Sequence, residues 1–318
     1  AYDGSGNVVA IGDAIFLYDR VNRLKQAKVR LVPTGPALRG ESPDESLIFA
    51  DDFESGTLGA WTVPGDPNWA SQAYTYDAFG NLTAVSGDLG HSIPITPGTN
   101  RVSTSSYDAA GNMLSWNGNT YSYGPFNEVT RTMTAAGSEW LHVYTADDER
   151  LFSWELGGEE VTRWTLRGLD QRVLREYHHS RAVGGTSFIE QDNIYRGTGP
   201  LLAAVTPAGE RHFHVDHLGT PRLITDASGA QVAFHAYYPY GEEATEVDQD
   251  TLRYKFAGHE RDLVDPSSGA DDLDHMHARM SNPQLGRLLS TDPELQVERA
   301  KERPQRWNRY AYAVGNPV

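Results

Sequence analysis

The chain contains no cysteine, which excludes disulfides and thiolate metal sites at once but leaves the redox compartment open, since an exported chain can also lack Cys. Basic residues are scarce too: 27 Lys and Arg stand against 43 Asp and Glu, a formal net charge of −16 spread along the sequence. Such a surface repels phosphate backbones and anionic lipid, so nucleic-acid binding is disfavoured. No stretch approaches 18 consecutive apolar residues, and nothing predicts membrane insertion. There is no charged n-region followed by an apolar h-region. Ala1 opens directly into a repeat unit, so the chain reads as a soluble fragment whose N-terminus lies upstream.

What the sequence does have is aromatics and turn formers. Sixteen Tyr, ten Phe and seven Trp supply large apolar area, while 31 Gly and 17 Pro punctuate the chain, a mix that favours short strands and tight turns. At 318 residues there is room for one large domain or two ordinary ones. A six-residue unit, YDAAGN at Tyr107 to Asn112, recurs along the chain. Counting four residues on from each Tyr gives Gly6 after Tyr2, Asn22 after Tyr18, Gly80 after Tyr76, Gly111 after Tyr107, Asn127 after Tyr123 and Asp148 after Tyr144. Those three residue types enter positive φ most readily. An Asp next to the Tyr (Asp3, Asp19, Asp77, Asp108) can accept backbone N–H bonds across a type I turn, so each unit predicts a hairpin tip, with the Tyr there for packing.

The series continues at Val205/Gly209 and Thr225/Gly229, where a β-branched residue replaces the Tyr. Between tips, RLFSWEL (Arg150 to Leu156), RWTLRGL (Arg163 to Leu169) and RHFHVDH (Arg211 to His217) alternate with period two, as half-buried strands do. Tip spacings of 16 to 21 residues suit hairpins and are too short for βαβ units. The fold class expected is all-β, a spiralling array of antiparallel β-hairpins whose units bury one face on their neighbours. Residues 33–69 lack a tip and read as a surface loop insertion tacked down by Phe53 and Trp61, with a glycan-binding role for these aromatics as the weaker reading. A helix is expected only within Pro293 to Trp307, where good helix formers lie between two prolines.

The tips YDAFGNL (Tyr76 to Leu82), YDAAGNM (Tyr107 to Met113) and YDRVNRL (Tyr18 to Leu24) resemble the YD repeats of bacterial Rhs proteins. Five ordered motifs in the last third resemble the Rhs-repeat-associated core: HVDHLGTPRLITDASGAQV, YYPYGEE, YKFAGHERD, RMSNPQLGRLLSTDPE and NRYAYAVGNPV. The resemblance implies a YD-repeat hairpin array over residues 1–200 and an associated core or plug over 201–318, the array coiling into a hollow shell around a C-terminal toxin or other cargo. It further implies an aspartyl-protease-like site that cuts the chain just past the core. Its motif is an Arg, an Asp 13 residues later in an S-x-D-P context, and a second Asp in a D-P-x-G-L segment. Arg279 and Asp292, in LLSTDP, match the first two elements; the second Asp is expected beyond Val318. Two adjacent carboxylates share a proton, one activating water while the other protonates the substrate, and a nearby Arg orients one of them. Half a site is expected to be inactive alone, and read without the resemblance Asp292 is a turn residue and Arg279 a strand Arg in an ion pair.

Other constellations say less. His212 and His214 on one strand, with Asp274, His275 and His277 of DDLDHMHAR, carry metal-ligating types but no zinc signature, so neither metal nor other cofactor is expected. SWNGNTYSYG and AVGGTSF are Gly-rich without a strand-to-helix setting, and no G-x-S-x-G elbow appears. The expected role is structural: a shell portion of a secreted or surface-located bacterial Rhs protein, partnered by its cargo segment, upstream repeats of its own chain, and a secretion apparatus or further copies of itself. The alternative is a cell-surface or filament-forming YD-repeat adhesion protein without toxin; a glycan-binding module is a third class.

Overall fold

A computed structural model describes residues 1–11, 14–32, 68–157, 161–181, 184–246, 249–250, 252–262, 272–294 and 297–318. Most of the 33–69 insertion, with Phe53 and Trp61, lies outside them, as do Asp271 and the first part of AVGGTSF. Among the described residues the chain forms antiparallel sheets in which each strand pairs with its neighbours in sequence. Six strands cover 10–92, a two-stranded ribbon 95–102, twelve strands 115–234 and four strands 260–288. The all-β hairpin array expected from the repeats is what folds. The twelve-stranded sheet runs through residue 200 without a break and ends at Phe234. The expected helix is short, Val297–Glu302, followed by a 3₁₀ turn at Pro304–Trp307.

Every tip predicted from the Tyr spacing is present. Gly6, Asn22, Gly80, Gly111, Asn127 and Asp148 all have positive φ, between 61° and 95°. Asp3, Asp19 and Asp77 each accept two backbone N–H bonds through Oδ1 at 2.8–3.0 Å, and Asp108 Oδ1 accepts one from Asn112 at 2.8 Å. The residue opening each tip pairs with the one six places on, as in Tyr18 with Leu24, after which the register slips by one. The same slip recurs beside Tyr76, Tyr123, Tyr144, Arg167, Tyr195, Val215 and Thr225. A bulge per hairpin adds bend and twist in one sense, which curves the sheets. Tyr237 to Glu243 and Tyr254 to Glu260, within two of the core motifs, close by the same six-residue bridge. Val205 to Gly209 differs: Gly209 has positive φ, but Thr206 pairs with Gly209 across a two-residue turn, because Pro207 shortens the loop.

The Tyr does more than pack. Tyr18 donates to the Val8 carbonyl, Tyr123 to Met113, Tyr144 to Val129 and Tyr195 to Val173, each at 2.7–3.0 Å. Each acceptor closes the preceding tip, so these four hydroxyls staple their hairpins to the one before, while Tyr76 meets the Tyr240 hydroxyl and Tyr107 accepts from Val102 N–H. The Asn that follows the Gly adds a rung. Asn7, Asn81 and Asn112 donate both to their own Asp and to Asn22, Asn100 and Asn127 across the strip, at 2.7–3.1 Å.

Past Phe234 the chain turns onto the concave side. Tyr238, Tyr240, Leu273, Met280, Leu285 and Leu289 join a core with the six-stranded sheet, while Leu252 and Tyr254 pack on Leu201, Ala204, Phe213 and Ile224 of the larger one. Between these apolar zones lies a buried ionic joint. Arg150, 1% exposed, reaches Asp262 at 2.6 Å and Glu260 at 3.2 Å; Arg167 binds Glu260 and Glu149; Arg253 binds Asp262 at 3.0 Å. Burial alone would raise both carboxyls, but the Arg150 guanidinium, with Arg167 on Glu260 and Arg253 on Asp262, holds them well below the usual carboxylate range.

Replacing Arg150 by Met leaves two buried carboxylates short of a cation, and urea unfolding is expected to show a loss of about 3–5 kcal/mol; a loss below about 1 kcal/mol would show that the joint does not hold the core to the sheet. A pH dependence follows from His142, buried between Thr132 and Ser153, whose imidazole burial pushes down to about 4. Unfolded, this group takes a proton near its ordinary 6.5, so stability falls as pH drops from 6.5 to about 4, by roughly 3 kcal/mol in total. Unfolding midpoints measured across that window should slope less in His142→Gln.

Candidate functional site

Arg279 opens the strand Arg279–Asn282, which pairs with Leu273–Met276 on one side and Arg287–Leu288 on the other. Leu285 N–H donates to Asn282 Oδ1, and Gly286, at φ 58°, completes the turn that returns the chain. Leu289 N–H then bonds Met280 O, and Met113 N–H bonds Leu289 O, which ties this hairpin to the Tyr107 tip. Three residues later comes Asp292. Its N–H donates to Arg309 O at 2.9 Å, its carbonyl accepts from Arg309 Nε at 2.6 Å, and its Oδ1 accepts from Glu294 N–H at 3.1 Å.

The two residues singled out in the sequence therefore meet. Arg279 Nη1 lies 3.1 Å from Asp292 Oδ2, with side chains 29% and 41% exposed. Nη1 makes no in-line hydrogen bond despite that distance, so the pair attracts without being locked. Asp292 is also the turn residue that a reading of the sequence alone allows. An ion pair at this exposure contributes little to stability, whereas its backbone is fixed on both sides. The arrangement can hold one ionised carboxylate in a set direction with a guanidinium beside it. It contains one carboxylate, and a proton-sharing pair needs two.

The segment that fixes Asp292 is itself pinned to the repeats. Asn308 Nδ2 donates to Asn81 Oδ1 at 2.7 Å, Tyr310 Oη to Gly111 O at 2.6 Å and Asn316 Nδ2 to Asn7 Oδ1 at 3.0 Å. Three hairpin tips thus capture the last residues. Gly111 is required for this: a Cβ there would stand 2.8 Å from Tyr310 Oη, on a backbone at φ 95°. Arg309 and Tyr310 stand in the NRYAYAVGNPV motif, but no spacing in the sequence ties them to Asp292 or Gly111.

The metal-ligating types do not converge. His212 and His214 lie on the twelve-stranded sheet, His214 near Thr225. Asp274 is taken by Arg261 at 2.7 Å, and His277 reaches Glu149 at 2.5 Å. Among the described residues no three His, Cys, Asp or Glu side chains gather as a metal site. A cleft of about 280 Å³ beside the ionic joint is lined by Arg167, Tyr254, His259, Glu260, His275 and His277. Burial drives the His275 pKa well below its ordinary value, and the carboxylate of Glu260 is already occupied by arginines, so the cleft is a seam of the joint. Among the described residues no helix is long and apolar enough to cross a membrane.

No family model matches the chain. Among curated proteins it is similar to double-stranded DNA deaminase toxin A of Burkholderia cenocepacia, 24% identical, with 92% of this chain and 20% of that protein covered. It is also similar to salivary gland surface protein 1 of Aedes aegypti, 25% identical over 52% of this chain and 5% of that one. Among solved structures, a Photorhabdus luminescens Tc holotoxin pore matches the whole chain over 16% of its own length, with a TM-score of 0.69 and 17% identity. The chain spans a fifth or less of these proteins' lengths, and its antiparallel all-β fold is similar to the matched part of the Tc holotoxin pore.

Proposed function

We propose that the chain is wall and end-plug of an Rhs-type shell that encloses or presents a C-terminal cargo, with residues 201–318 as the associated core and Arg279 and Asp292 as half of a self-cleaving site. The observation that carries this reading is the capture of residues 308–316 by three hairpin tips, with Arg309 of the same segment holding the backbone of Asp292 beside Arg279. The likeness to a toxin over 92% of the chain supports a toxin as cargo, and with it a secreted or surface location. The alternative, a surface protein without cargo, draws on the likeness to a salivary gland surface protein.

In this reading a second Asp from the following segment shares a proton with Asp292. The ionised member removes a proton from water, the hydroxyl adds to the scissile carbonyl carbon, and the other carboxyl delivers its proton to the departing amide nitrogen as the C–N bond breaks. Arg279 lies beside the Asp292 carboxylate and sets its direction. A chain extended past Val318 with its own downstream sequence should yield a clipped product, and Asp292→Asn should slow clipping at least about a hundredfold. An uncut extended wild type would remove the cleavage role and leave the wall role standing. The wall role is tested by whether the downstream segment resists added protease while attached.

A further inference from the structure

The face of the twelve-stranded sheet turned away from the core is unexpectedly apolar. Cross-strand register places Val143, Phe152, Trp164, Tyr177 and Ile189 directly opposite one another on five successive strands. His142, Ser153, Thr165 and Glu176, their neighbours on the same strands, are the buried ones. Since successive side chains alternate faces, the apolar row points outward. Val143, Trp164 and Ile189 are 39–43% exposed, Trp154 and Leu166 flank the row at 39% and 52%, and the Phe152 and Trp164 rings sit 4.4 Å apart. Polarity is therefore inverted here: this stretch buries its polar face and exposes its aromatic one.

We propose that this face is the contact between two copies of the chain, related by a two-fold axis. Val143, Trp154, Trp164, Leu166 and Ile189, all 39–52% exposed on adjoining strands, form the contiguous apolar centre that an interface burying roughly 800 Å² on each side requires. Self-pairing of a chain with net charge −16 needs a zone free of like-charge repulsion. The charges bordering the row are already neutralised, Arg131 by Glu139 and Arg175 by Asp192. An isologous contact brings one patch against its own copy, so the patch must tolerate itself. Two neutral aromatic rows meet that condition, and the acidic remainder of the surface does not. The interface is independent of cleavage at Asp292.

Sedimentation of the 318-residue chain up to about 100 µM should show a reversible dimer, weakened at least about tenfold by Trp164→Glu with an unchanged circular dichroism spectrum and melting temperature. The absence of cysteine gives a second readout. Thr162→Cys, facing Trp154 and His179 on the same face, should form a disulfide-linked dimer on mild oxidation, while Ser86→Cys on the six-stranded sheet should not. A wild type that stays monomeric throughout, a dimer untouched by Trp164→Glu, or equal cross-linking at both positions would overturn the proposal. A monomer would leave the face to a partner of another kind or to another part of the chain.

Discussion

The left-handed residue at the fourth place of each tip sets the length of the hairpin, and the larger features follow from that length. A five-residue loop closed by a positive-φ residue returns the strand with one residue to spare, and the surplus is absorbed as a bulge beside the opening residue. One bulge bends a sheet locally. The same slip recurs in eight hairpins over the two larger sheets, and each adds its local bend and twist. Gly, Asn or Asp at this place is a backbone requirement, and the flanking Asp and Asn then use the exposed N–H groups and amides to rivet adjacent tips.

A concave wall has to be filled, and the filling is polar as well as apolar. Arg150 occupies the closing place of the Tyr144 tip, where other hairpins have Leu24, Leu82 or Met113. Its buried guanidinium answers two carboxylates from residues 260–262. Such a joint adds less net stability than an apolar contact of equal size, since both signs must leave water. What it adds is position: an Arg facing two carboxylates and flanked by Arg167 and Arg253 has few satisfactory registers, whereas apolar surfaces slide. The second joint, His235 between Glu243 and Asp250 with Lys255 beside them, works the same way where the chain leaves the sheet.

The repeat geometry was legible in the sequence because it is local. The Tyr offset, the +4 residue and the strand alternation each need only neighbours along the chain. The Arg167 tip escaped notice because Arg stands where the other tips have Tyr and Gln171, itself at positive φ, stands four residues on. The ionic joint was illegible for a different reason. Arg150 and Asp262 are 112 residues apart, and in the sequence each is one more charged residue in an alternating strand; only curvature brings them together. The Tyr hydroxyl bonds were equally hidden, because their acceptors are backbone carbonyls, which every residue has.

Arg279 and Asp292 belong to both categories. Their 13-residue spacing is visible, yet their contact depends on distant elements. Arg309 sets the Asp292 backbone, Tyr310 anchors that segment on Gly111, and Asn308 and Asn316 hold it to tips more than 200 residues earlier in the chain. Arg309 is local, but the three tip anchors lie far back in the chain. The backbone position of the pair therefore depends on the tips at Asn7, Asn81 and Gly111 as well as on its own hairpin. The geometry of Arg279 and Asp292 is thus set by contacts spread over the length of the chain, and local spacing supplies only part of it.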